Sequence, residues 1–220
     1  MGSQSVDQET PGVEVPLPSL VLISDAARLG EDRFFQVLRS AVAAGLPALQ
    51  VREPSWPARR LRRFVQRIQG EAGKDLMVFV NRATNIVADL GLDGLHVGGG
   101  DPTCVRDART VLGEGVLIGY SAHTTEELAL AREAGANYCY LSPVFAPLSK
   151  PATSPAMGLE GFRDACSSAP LPVYALGGIR PSHVRGARQA GACGVAVIGS
   201  ILDATDPAKV TREFLTEWSV

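Results

Sequence analysis

Two glycine-bearing stretches near the C-terminus carry the clearest chemistry in this chain. Val173–Ile179 reads VYALGGI and Gly194–Ser200 reads GVAVIGS. Each is an apolar run that ends in glycine, where backbone amides can approach an anion closely. In a parallel barrel, the loops after the last two strands and the N-terminus of a short following helix hold a phosphate through unpaired N–H groups and the helix dipole. Gly177, Gly178, Gly199 and Ser200 form the candidate phosphate cradle. Upstream, polar residues recur directly after short apolar runs. They are Gln50, Arg52 and Glu53; Asn81 and Arg82; His96 with the Gly98–Asp101 loop; Ser121 and His123; and Ser142, Pro143, Ser149 and Lys150. Together they describe a polar site, cationic at Arg52 and Lys150 and supplied with an imidazole at His123, whose ordinary pKa lies near neutrality and suits acid/base work. Arg52 is suited to grip a carboxylate with two parallel hydrogen bonds; its alternative use is an ion pair with Glu53 or Asp101 in the barrel mouth. His96 reads as structural, and His183, beside Ser182 at a helix start, as a surface or capping residue.

These residues must be held by the elements around them. From Leu20 onward, short apolar runs alternate with amphipathic segments, the pattern of repeated βα units. Strands are expected at Leu20–Ser24, Ala48–Arg52, Met77–Asn81, Gly94–Val97, Leu117–Tyr120, Tyr138–Leu141, Val173–Leu176 and Val195–Ile198. Helices are expected near Asp32–Ala44, Pro57–Glu71, Thr84–Leu90, Thr103–Leu112, Thr125–Ala134, Leu159–Ser168, Pro181–Ala190 and Pro207–Trp218. Thr124 or Thr125 before Glu126 and Glu127, Pro181 after Arg180, and Asp206 before Pro207 are helix-start signals. Gly45, Gly91, Gly135 and Gly191 suit left-handed helix ends. Eight such units close a single (β/α)8 TIM barrel, an α/β fold that places its chemistry at the carboxyl ends of its strands.

Length and composition agree. A chain of 220 residues suits one such domain. Residues 1–19, rich in Ser, Gln, Glu and Pro and without periodicity, read as a flexible leader to a domain spanning 20–220. A formal net charge of −2, from 21 basic and 23 acidic residues, supplies no basic field for nucleic acid or an anionic membrane. The one dense basic run, Arg59, Arg60, Arg62, Arg63 and Arg67, covers a broad helix face beside Leu61, Phe64, Val65 and Ile68 and reads as solvated surface. No apolar stretch is long enough to cross a bilayer. Cys104, Cys139, Cys166 and Cys193 lack metal-ligand spacing and follow no secretory signal, which points to reduced thiols in a cytoplasmic protein.

LQVRE at Leu49–Glu53, HVGGGDP at His96–Pro102, IGYSAHT at Ile118–Thr124, LSPVFAPLSK at Leu141–Lys150, ALGGI at Ala175–Ile179 and GVAVIGS at Gly194–Ser200 fall in the order and spacing of the thiamin phosphate synthase superfamily. The chain resembles that superfamily over its whole length after Leu20, and the motifs are specific as a set. The resemblance implies one of two enzyme types on the same barrel. Thiamin phosphate synthase joins an aminopyrimidine diphosphate to thiazole phosphate; thiazole tautomerase aromatises a carboxythiazole phosphate. Either way the implied partner is a small phosphorylated thiazole, and self-association is implied by the resemblance alone.

Departures from the synthase pattern cluster where diphosphate and Mg2+ would bind. Gln50 and Arg52 are kept, but Pro54 stands where the synthase has lysine. Asn81–Arg82–Ala83 stands where it has Asn-Asp-Arg, with the aspartate a magnesium ligand, and a cation cannot serve a hard metal as a carboxylate does. Gly99 replaces a glutamine, Asp101 keeps a second ligand's place, and Pro147–Lys150 keeps one hydroxyl and the lysine of a Thr-x-Thr-Lys run. Ionising a diphosphate demands neutralisation by metal and cations, whereas a tautomerisation asks for a phosphate anchor, a cation and an acid/base. The expectation is a cofactor-free tautomerase. Its catalytic residues are His123, Arg52 and Lys150, and its substrate-binding residues Gln50, Asn81, Ser121 and Ser149. The alternatives are a divergent Mg2+-dependent synthase using Asp101, and a non-catalytic phosphate-ligand binder.

Overall fold

A computed structural model describes residues 16–146 and 155–220. Ser149, Lys150 and Pro147 lie outside the described residues, as does most of the segment assigned to a leader. Eight parallel strands close a barrel in sequence order, β1 to β8. They are β1 (Leu20–Ile23), β2 (Ala48–Val51), β3 (Met77–Asn81), β4 (Gly94–Val97), β5 (Leu117–Ala122), β6 (Tyr138–Leu141), β7 (Val173–Leu176) and β8 (Gly194–Val197). Around them lie α1 (Ala26–Leu29), α2 (Glu31–Ala43), α3 (Ala58–Glu71), α4 (Thr84–Leu90), α5 (Thr103–Leu112), α6 (Thr125–Glu133), α7 (Gly158–Ser168), α8 (Val184–Gln189), α9 (Gly199–Leu202) and α10 (Pro207–Ser219), with a 3₁₀ turn at Pro181–His183. Each expected strand and each expected helix has a counterpart.

Strands buried on both faces read as continuous apolar runs, which is why they were visible in the sequence. The helix signals hold as well. Thr124 Oγ1 accepts the Glu127 N–H at 3.2 Å, and Asp206 Oδ1 accepts the Lys209 N–H at 2.9 Å. Gly45, Gly91, Gly135 and Gly191 all have positive φ, between 59° and 99°, the left-handed turn that stops a helix before the next strand.

Three details differ from the expectation. α1 and α9 are short helices with too few residues to show a period. β5 runs two residues further than expected, to Ala122, so Ser121 is an inward-facing strand residue and not part of the loop after it. The packed domain also begins before Leu20. Pro18 is buried, and its carbonyl accepts the Tyr174 hydroxyl at 2.7 Å beneath the barrel.

The lumen is filled by aromatic rings set against glycine. A Cβ on Gly94 would run into the Phe79 ring, one on Gly119 into Tyr138, and one on Gly194 into Tyr174. Register places these pairs side by side: Phe79 beside Gly94, Gly119 beside Tyr138, Tyr174 beside Gly194. Only glycine leaves room for the neighbouring ring, so the interior packs as alternating large and absent side chains. Above this layer, toward the carboxyl ends of the strands, the inward positions are Gln50, Asn81, His96, Ser121 and Tyr140. The floor of the mouth is polar on the β2–β6 side, while Ile23 of β1 and Leu176 of β7 carry the apolar lining up on the other side.

Candidate active site

β2 ends at Val51, and its next two residues divide the work. Glu53 is 4% exposed and faces away from the mouth: it accepts the Ser24 hydroxyl at 2.6 Å and the Ala26 and Ala27 N–H groups at 2.7 and 2.9 Å. Its carboxylate caps α1, so it is not the partner of Arg52. Arg52 is exposed and among the described residues pairs with neither Glu53 nor Asp101. Its charge is felt at His96. Burial first, and the Arg52 charge second, push that imidazole down to about 3. His96 is 1% exposed, stacks on Tyr140 with ring centroids 4.2 Å apart, and places Nε2 2.8 Å from Ser121 Oγ. It is a neutral, fixed ring, as the sequence suggested.

His123 occupies the rim. Its Nδ1 lies 3.0 Å from the Ser142 carbonyl oxygen, which can only accept, so Nδ1 is the donor of that hydrogen bond. Its backbone N–H donates to Glu127 Oε2 at 2.6 Å. A Cβ on Gly99 would stand 3.7 Å from Nε2, so the glycine loop after β4 borders that nitrogen. Arg82 holds the loop from its other side. Its Nη2 donates to the Gly99 carbonyl at 2.8 Å and its backbone N–H to the His96 carbonyl at 3.0 Å. Arg82 is also the one non-glycine among the described residues at positive φ, 59°, a conformation that is costly for a residue of its size. Asp101 Oδ1 accepts the Thr103 N–H at 2.9 Å, and that bond holds the carboxyl below its ordinary range.

The two glycine stretches lie side by side. Ser200 donates its hydroxyl to the Ile179 carbonyl, joining the start of α9 to the loop after β7. Gly199 and Ser200 open α9, where N–H groups have no partner within the helix. Gly177 and Gly178 have φ of 96° and 62°. Phe145 N–H donates to the Gly177 carbonyl at 3.0 Å, and a Cβ on Gly178 would strike the Ala146 carbonyl oxygen. These glycines are therefore required twice, for their backbone angles and for the β6 loop that lies on them. His183 stacks on Phe145 at 3.9 Å and accepts the Arg180 N–H through Nδ1 at 3.3 Å, a cap as expected, set beside Gly178.

Two buried polar atoms on the floor, Gln50 Oε1 and Asn81 Oδ1, have no hydrogen-bond partner, and neither does the Tyr140 hydroxyl. A buried polar atom without a partner is rare and calls for a ligand or water. Sequence reasoning chose Gln50 and Asn81 but missed Tyr140, whose shared parity with Tyr138 was the available sign of an inward position. The other candidates for chemistry fall away. Burial pushes the thiols of Cys139 and Cys193 up to about 12 and that of Cys166 to about 11, far from a reactive thiolate. Arg60, Arg62 and Arg67 of the basic run pair with Glu31, Asp89 and Glu71 on the surface.

A closed eight-stranded parallel barrel with glycine-bearing loops after β7 and β8 and a polar mouth defines a class, the (β/α)8 barrels. Within it, residues 20–201 match the family model described as thiamine monophosphate synthase, and the chain belongs to that family. It is 35% identical over 201 residues to a putative thiamine-phosphate synthase of Geobacter sulfurreducens, covering 90% of this chain and 92% of that protein. It is 36% identical over 181 residues to the thiamine-phosphate synthase of Moorella thermoacetica, covering 80% and 84%. Among solved structures, thiamine phosphate pyrophosphorylase of Pyrococcus furiosus superposes with a TM-score of 0.73 at 27% identity, covering 91% of this chain and 95% of that one. The relatives place the chain among enzymes of thiamin biosynthesis. Among the described residues, no helix is long and apolar enough to cross a membrane.

Proposed function

We propose that this chain is a thiamin phosphate synthase that joins an aminopyrimidine, delivered as its diphosphate, to a thiazole phosphate. The sequence departures put the tautomerase reading first. The relatives carry the synthase name across most of their length, and the barrel floor supports the synthase reading as well. Gln50 Oε1 and Asn81 Oδ1 are acceptors in want of donors. An aminopyrimidine brings N–H groups to them, whereas a carboxythiazole phosphate has no ring N–H to give. That complementarity is the observation that carries the proposal.

In this reading the thiazole phosphate rests its phosphate on the amides of Gly178, Gly199 and Ser200, and its ring nitrogen faces the pyrimidine methylene. The bond from that carbon to the diphosphate oxygen breaks, the carbon–nitrogen bond forms, and diphosphate leaves with the electron pair. Arg52 and Lys150 supply positive charge to the departing group. His96, being neutral, adds no positive charge against the developing pyrimidine cation.

The resemblance brings Mg2+ with it, and the residues do not fit such an ion well. Among the described residues there is no cluster of three or more metal-ligating side chains. Asp101 has one oxygen committed to Thr103, and the Arg82 guanidinium lies on the same loop. A protein-held hard cation needs several oxygen ligands, so no step is taken through one.

The test offers both substrates and measures diphosphate release and the coupled product. Release should require both substrates, and Gln50→Leu should slow it. Arg82 and the open Nε2 of His123 favour the tautomerase as the second reading. It takes over if no diphosphate appears while the carboxythiazole phosphate alone is aromatised, and His123→Ala lowers that rate by about 10²-fold or more.

A further inference from the structure

Outside the mouth, the helical layer has a gap. α4 has only seven residues, and between it and α5 lies a cavity of about 500 Å³. Its inner wall is the outer face of β4, Leu95 and Val97, both buried; its far wall is Ala108 and Val111 of α5. Val111 is 60% exposed, one of three large apolar side chains left open to solvent among the described residues. The polar end of the cavity is Arg82 with the Gly98–Gly100 loop. Arg82 forms no ion pair among the described residues, and its guanidinium spends one N–H on the Gly99 carbonyl, leaving donors for another group. Asp101, also on the wall, is committed to Thr103, and Asp107 stands exposed on α5.

We propose that this cavity is a second ligand site, for a flat aromatic molecule with an anionic head, either carboxylate, sulfonate or phosphate. The apolar walls would take the ring and Arg82 the head. Three observations agree on this chemistry. The volume falls within the 300–1,000 Å³ typical of small-molecule sites. Leu95, Val97, Ala108 and Val111 give the cavity an apolar side, while Thr84, Asn85 and Asp107 add polar groups from both flanking helices. The unpaired guanidinium sits beside the Gly98–Gly100 loop, where a planar anion can be held by paired hydrogen bonds. The site is separate from the barrel mouth but shares the Gly98–Gly100 loop with it. Arg82 grips Gly99 from the cavity side, while Gly99 abuts the Ser121 carbonyl and His123 on the mouth side. A ligand drawing on Arg82 therefore shifts the loop beside His123, and occupancy of one site alters affinity at the other, reciprocally.

The probe is 8-anilinonaphthalene-1-sulfonate, which has an aromatic body and an anionic head and fluoresces when its rings leave water. Titrated into the folded wild-type protein, it should bind saturably with one molecule per chain. Val111→Glu adds a carboxylate at an exposed rim position that the fold tolerates, and it should weaken binding about tenfold or more, as should Arg82→Gln. Ala108→Trp, which fills the cavity, should abolish it. Thiazole phosphate should change the dye's apparent affinity without reducing its saturating signal to zero. Unchanged dye binding in both Val111→Glu and Ala108→Trp would overturn the proposal. So would complete competitive displacement by thiazole phosphate, which would put the dye in the mouth, or dissociation of an oligomer by Val111→Glu, which would make the cavity a contact between copies of the chain. None of these outcomes depends on which reaction the mouth catalyses.

Discussion

Lowering the pH from 7.5 to 5.0 should cost this protein stability, chiefly through His96, with the part-buried His183 adding in the same direction. His96 is 1% exposed, stacked on Tyr140, with Nε2 2.8 Å from Ser121 Oγ. Burial, with the Arg52 charge adding to it, moves the folded pKa from 6.5 to about 3. A depressed histidine pKa means the native state resists a proton that the unfolded chain accepts. Above pH 6.5 both states are neutral and the stability is fully present. Below 6.5 the unfolded state gains protons and the native state does not, so stability falls by about 1.4 kcal/mol per unit until the folded pKa is reached. At pH 5.0, about one and a half units below 6.5, the loss is about 2 kcal/mol, a large part of the 5–15 kcal/mol typical of a domain. Urea unfolding at pH 7.5, 6.0 and 5.0 measures it, with His96→Asn as the reference that cannot titrate. Wild type should lose about 2 kcal/mol more than the variant over that range. Equal losses would refute the reasoning, as would a His96 ring resonance that titrates with a midpoint near 6.

Glu53→Ala leaves the Ala26 and Ala27 N–H groups and the Ser24 hydroxyl without their acceptor, and should destabilise by about 2–4 kcal/mol in denaturant unfolding. Little of the loss should be recovered by raising salt, because the carboxylate is buried. Gly178→Ala forces a Cβ at φ 62° onto the Ala146 carbonyl. It should displace the β6 loop and weaken inorganic phosphate binding in calorimetry by about tenfold or more, through the 1–2 kcal/mol left-handed penalty together with the clash. Unchanged affinity would move the phosphate site away from these amides.

The barrel was legible because its strands are buried on both sides and its helix ends are marked by glycine, threonine and aspartate, signals that act locally. Gln50, Asn81, His96 and Ser121 were legible because they are polar residues at the carboxyl ends of apolar runs, where a barrel gathers its site. Strand alternation applied to Tyr138 and Tyr140 would have found the third unpartnered group, but a tyrosine in an apolar run looks like filling. The roles of Glu53 and Arg82 were not legible. Each depends on where a neighbouring loop passes: Glu53 on the start of α1 lying over the end of β2, and Arg82 on the turn after β4 coming within 2.8 Å of its guanidinium. Reading departures one residue at a time also gave them too much weight against agreement along the rest of the chain. Pro54 and Arg82 change local charge, while the relatives that share the remaining frame carry the synthase name.

The ring-against-glycine filling makes the two halves of the barrel unequal. β1–β4 send two rings into the lumen, Phe79 and the smaller imidazole of His96, and β5–β8 send three tyrosines, Tyr138, Tyr140 and Tyr174. Two copies of the first half would enclose an underfilled axis, and two copies of the second would overfill it. Whatever symmetry the eight repeated units suggest from outside, the chain has none at its centre. Dissected into half barrels, the fragments should recover a native interior only when complementary halves meet, because Phe79 packs on Tyr138 and His96 stacks on Tyr140 across the division.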